Sequence, residues 1–81
     1  MKIETIFKKV NKEIYYARNK FPSNKHLLAA FNEESGEVTK AMMDYHQGKG
    51  TKKNIIKESI QAIAMAVRLI QEGDPDFKYH L

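Results

Sequence analysis

The sequence predicts an all-α fold, a three-helix antiparallel protomer, from three features of its 81 residues. Apolar residues recur at helical spacing in three stretches. The breaks between them fall at Phe21-Pro22-Ser23-Asn24 and at His46-Gln47-Gly48-Lys49-Gly50-Thr51. The last stretch ends on Gly73 and Pro75, a usual helix stop.

Ile3, Phe7, Val10, Ile14 and Ala17 are spaced by four and three residues, which places them on one side of a helix from about residue 3 to 19. Pro22 biases Phe21 away from helical dihedrals, and Ser23 or Asn24 supplies an acceptor for the first free amides of a second helix, about 24 to 46. The glycine-dense turn that follows has no strand before it, so it reads as a flexible turn and not as a phosphate-cradling loop. The third helix, about 52 to 72, carries Ile56, Ile60, Ile63, Val67 and Ile70 in one row and Ile55, Ala62, Ala66 and Leu69 in the next. So wide an apolar surface needs partners on two sides. Met42, Met43 and Met65 read as core packing. Asp76 to Leu81 make a tail whose Phe77 and Tyr79 are expected to pack back. Residues 1–81 read as a single domain.

Composition excludes several classes. No cysteine is present, which removes disulfides, thiolate metal sites and Cys nucleophiles, and three scattered histidines do not suit structural zinc. Residues 1–12 contain lysines but no apolar run, and no stretch approaches the roughly 20 apolar residues of a membrane span. A cytoplasmic protein without membrane contact is expected. A net charge of +4 favours an anionic partner. The lysines form no single stripe and the aromatics do not interleave with them, so nucleic acid is not the expected ligand. A chain this short leaves a lone core marginal, and a homodimer or homotetramer is expected to complete a four-helix-bundle-like core.

The acids stand out against that scaffold. Leu27, Ala30, Glu34, Glu37, Ala41 and Asp44 share a face of the second helix, with Glu33 rotated by about 100° to the rim. On the third helix Glu58, Gln61, Met65 and Arg68 form a stripe beside the isoleucines. If the two stripes face each other, Glu34, Glu37 and Glu58 converge. Converging carboxylates are tolerated only with raised pKa values or bound cations, and oxygen ligands of this kind suit Mg²⁺ or Mn²⁺. Gly36, costly by about 1 kcal/mol in mid-helix, suits a site that a helix or ligand approaches closely. The same spacing also describes a solvated helix face, with Glu33, Glu34 and Glu37 paired to Lys40 and Lys57.

Asn32-Glu33-Glu34-Ser35-Gly36-Glu37-Val38 resembles the EExxE helix of the MazG-like, all-α nucleoside triphosphate pyrophosphatases. Lys57-Glu58-Ser59-Ile60-Gln61, continuing through Arg68, resembles the second motif helix of that family. The likeness spans about residues 21 to 77 and is closest to short, phage-type members. It implies metal ligation and catalysis by Glu34, Glu37 and Glu58, with Glu33 in support, and hydrolysis of a (d)NTP to the monophosphate and pyrophosphate. Gln61, the fourth metal position, stands where the family pattern, ExxD, has aspartate; its amide oxygen can still coordinate, but the formal charge of the ligand set falls from −4 to −3. Arg68, Lys57, Lys40, Lys53, Asn54 and His26 are the candidate nucleotide contacts, Arg68 first because it shares the stripe of Glu58. The runner-up is a catalytically weak or inactive helical protein that binds a nucleotide or a partner through the altered site.

Overall fold

A computed structural model describes residues 1–80; Leu81, the last residue of the predicted tail, lies outside the described residues. Three helices follow in order, α1 (Ile3–Lys20), α2 (Leu27–His46) and α3 (Lys52–Glu72), and then a short 3₁₀ turn, Pro75–Phe77. Among the described residues there is no strand, only an isolated antiparallel bridge between Asp74 and Tyr79.

The third helix is the centre of the fold: it packs against both α1 and α2, which do not pack against each other. Ile6 lies beside Ile55 and Ile60 at one end, and Arg18 reaches Glu72 at the other, so α1 runs parallel to α3. Leu28 meets Asp74 and Tyr45 lies near Ile55, so α2 runs antiparallel to both. The core joins Val10 and Ile14 of α1 to Ile60 and Ala64 of α3, with Ile6 and Val67 packed on it. Leu27 and Ala41 seal the α2 side.

The buried ridge of α3 is Ile60, Ala64 and Arg68, rotated from the expected isoleucine row. Ile63 and Ile70 remain 36% and 65% exposed. On α1 only the second half of the predicted stripe is covered, since Ile3 and Phe7 are largely exposed. Met42 and Met43 are also exposed rather than core residues. With α3 alone between α1 and α2, one protomer has no second layer to cover these side chains.

The helix starts correct another expectation. Neither Ser23 nor Asn24 caps α2: Ser23 Oγ accepts from the Lys25 amide, and Asn24 Nδ2 donates to the Glu72 carbonyl over 2.7 Å. The cap comes from the far end of the chain. The buried Asp74 carboxylate accepts from the Leu28 amide over 2.8 Å and from the Asp76 amide over 3.0 Å, while Asp76 accepts from the His26 amide. Thr51 caps α3 locally, accepting from the Asn54 amide. Gly73, at φ +73°, ends α3 where a Cβ would collide with the Tyr79 carbonyl, so only glycine lets the tail return this closely. That return is made by the backbone, through Asp74 N to Tyr79 O over 2.7 Å, and not by the aromatic rings: Phe77 and Tyr79 stay exposed.

Candidate functional site

Because α1 and α2 stand apart, an open trough runs between them over α3. Ala30, Glu33 and Glu34 of α2 form one wall, Glu13, Tyr16, Ala17 and Lys20 of α1 the other, and Gln61 and Met65 of α3 the floor, around a cavity of about 360 Å³. The expected convergence is met by two helices and two carboxylates. With its amide nitrogen facing them, Gln61 donates to Glu34 Oε2 over 3.3 Å and to Glu58 Oε2 over 3.1 Å.

With no cation between them, two carboxylates repel a carbonyl dipole and attract the N–H₂, so the Gln61 amide is assigned with its nitrogen toward the pair, whereas a cation there would attract its oxygen. Glu37 is not drawn in; it is exposed on the next turn of α2. Among the described residues no group of three His, Cys, Asp or Glu side chains is placed to hold a metal ion. Glu34 and Glu58 present hard oxygens within reach of one nitrogen. That donor pair fits a hard divalent cation as a partial shell, completed by water and ligand oxygens, which is how Mg²⁺ is commonly bound.

Partial burial pushes the Glu34 carboxyl up from 4.5, and the charges of Glu58, Glu33, Glu37 and Glu13 push in the same direction. Glu34 is thus the focus of the acidic field. Glu13 joins this cluster from α1, a helix with no motif; its position one turn from Lys9 and Ala17 on the α1 face was the available signal. Glu33 lines the trough from the rim. Gly36 faces open space with nothing within 4 Å, so no neighbouring helix of this chain accounts for it.

Most of the candidate nucleotide contacts lie elsewhere. Arg68 is only 1% exposed. Its guanidinium grips Glu72 through Nε at 2.7 Å and Nη2 at 2.9 Å, and also reaches the carbonyls of Ala17 and Ser23. With its fork occupied and buried, Arg68 is a structural tie and not a phosphate ligand. His26, in a left-handed conformation, pairs with Asp76 at the N-terminus of α2 and lines neither part of the trough. Asn54 is exposed beside the Thr51 cap. Lys40 and Lys53 are exposed and line neither this trough nor its continuation.

Lys57 alone of that set borders the site, and it has unexpected company. A second groove of about 370 Å³ continues the trough between α1 and α3, lined by Lys9, Lys12, Glu13, Tyr16, Ile56, Lys57, Ile60 and Gln61. Lys9, Lys12, Tyr16 and Lys20 fall three and four residues apart, so α1 does carry a basic stripe, with an aromatic ring in it. The Lys20 ammonium lies 5.8 Å from the centroid of the Tyr16 ring. No protein-family model matches this chain, and neither the curated proteins nor the solved structures contain a match.

Proposed function

We propose that this chain is a Mg²⁺-dependent nucleoside triphosphate pyrophosphohydrolase of MazG-like type, converting a (d)NTP to the monophosphate and pyrophosphate. The observation that carries the reading is the meeting of Glu34 and Glu58, from two different helices, on one face of Gln61. A structural protein gains nothing from placing like charges together at a half-buried site. A bound divalent cation supplies Lewis acidity and neutralises charge on the leaving pyrophosphate. Mn²⁺ offers the same chemistry.

The chain's own residues bind and orient. Glu34 and Glu58 provide the anchoring oxygens, Glu37 stands one turn away on the exposed edge, and Gln61 holds the two anchors in register until a ligand arrives. Completion of the site and of the core by a second copy, as homodimer or homotetramer, accords with the open apolar groove on the other side of α3, formed by Phe31, Val38, Ala62, Ile63, Val67 and Ile70.

The second reading, a nucleotide-binding protein without turnover, is favoured by Gln61 itself. Its N–H₂ already satisfies both carboxylates, so a cation must displace a hydrogen-bond donor to enter. Pyrophosphate release from the common (d)NTPs with Mg²⁺ and with Mn²⁺ separates the two. The expected result is release that Glu34→Gln and Glu58→Gln abolish and Gln61→Asp increases. Thermal stabilisation by nucleotide with no release from any variant selects the second reading.

A further inference from the structure

The two ends of the trough carry opposite charge, with Glu13 of α1 at their junction, and this restricts what can lie in it. Glu33 and Glu34 line the α2 side and Glu58 reaches the floor residue Gln61, while the depression continues between Lys9 and Lys12 of α1 and Lys57 of α3. Gln61, Tyr16 and Glu13 belong to both parts, so the two are one continuous depression. Among the described residues none of these three lysines is held in an ion pair. Their ammonium groups are therefore available to a ligand.

We propose that Lys9, Lys12 and Lys57 form a polyphosphate subsite, in which the phosphate chain of a nucleoside triphosphate runs from the Glu34–Glu58 pair along α1. This inference rests on the nucleotide reading above and names the groups that read the substrate. A bare anion entering the trough is repelled by the carboxylates, and a bare cation by the lysines. A ligand bearing both signs, a polyphosphate with its divalent cation, satisfies both ends at once. Flexible lysines recognise phosphate as point charges without demanding one geometry. The volume of about 370 Å³ lies within the span of small-molecule sites, on the order of 300 to 1,000 Å³. Ile56 and Ile60 line the same groove.

The test is calorimetric titration of the full chain with inorganic tripolyphosphate, with and without Mg²⁺. This probe removes any dependence on base or sugar. The variants are Lys9→Ala/Lys12→Ala/Lys57→Ala, Glu34→Gln, and the charge-matched control Lys8→Ala/Lys49→Ala/Lys78→Ala. Support is Mg²⁺-dependent binding that the first variant weakens by about tenfold or more and the control changes by less than about twofold. Unchanged affinity in the lysine variant, with loss in Glu34→Gln, overturns the subsite and leaves the acidic pair standing. Loss in the lysine variant with no effect of Glu34→Gln or of Mg²⁺ keeps the subsite and removes the pyrophosphohydrolase reading. Absence of binding by the wild-type chain overturns both. Tighter, cation-independent binding of an oligothymidylate through the same lysines overturns the subsite in favour of a nucleic-acid surface.

Discussion

Glu34 and Glu72 titrate in opposite senses, and together they shape the acid side of the stability profile. Burial and the neighbouring carboxylates raise Glu34, so its ionised form costs stability at neutral pH. That cost is relieved as pH falls through its raised value towards 4.5, the unfolded reference. The hydrogen bonds from Arg68 hold Glu72 below 4.5 in spite of its desolvation. Its contribution is full above 4.5 and is lost as pH falls through the lowered native value. Glu34→Gln is expected to stabilise the chain by about 0.5 kcal/mol at pH 7 without divalent ions, allowing for solvent screening. It should also remove the rise in melting temperature between neutral pH and 4.5, as followed by circular dichroism. Arg68 belongs to the same scale. Replacing it by Met leaves Glu72 with Arg18 alone in a partly buried place and is expected to cost about 3 kcal/mol in urea unfolding. Any loss of ligand affinity in Arg68→Met should track the loss of folded protein and not appear in the folded fraction.

The boundaries of the elements show two kinds of control. α3 begins and ends on local instructions: Thr51 accepts from the Asn54 amide, and Gly73 takes the left-handed φ that stops the helix. α2 begins on a distant one, since its first amides are met by Asp74 and Asp76 from the tail. The tail is therefore part of the helix start. Asp74→Ala is expected to cost about 1 to 2 kcal/mol by removing the buried acceptor of the Leu28 amide. Amide hydrogen exchange should show the loss at Leu28 and its neighbours, while Asp74→Asn, which keeps one of the two acceptor oxygens in use, should show intermediate protection. Equal protection at Leu28 in both variants and in wild type would remove Asp74 from this role.

At the scale of the molecule, a single central helix cannot cover its own width. Ile60, Ala64 and Arg68 face inward, while Ile63 and Ile70 lie on a side that no element of the protomer covers. Small domains with so thin a core commonly gain stability by association. Sedimentation of the wild-type chain is expected to give a dimer or tetramer, and Ile63→Lys a monomer with a lower melting temperature. A wild-type monomer at high concentration would leave the apolar groove of α3 to another partner. The geometry on the opposite side, a trough acidic at one end and lysine-lined at the other, follows from the same arrangement, because α1 and α2 are separated by the breadth of α3.

Helix number, the two turns and the stop at Gly73 were legible in the sequence because they rest on spacing of apolar residues and on backbone preferences that act over three or four positions. So was the pairing of acids on two helix faces, since Glu34 and Glu58 carry their chemistry with them. Which acids meet was not legible: Glu37 lies one turn from Glu34 yet stays outside, and Glu13 joins from a helix with no motif. Arg68 shares the stripe of Glu58 but is turned away into a pair with Glu72. Rotation of a helix about its axis and the source of a cap 46 residues away are decided only when the elements pack. The energy that selects them comes from burial and charge pairing between distant segments, and no local spacing records it.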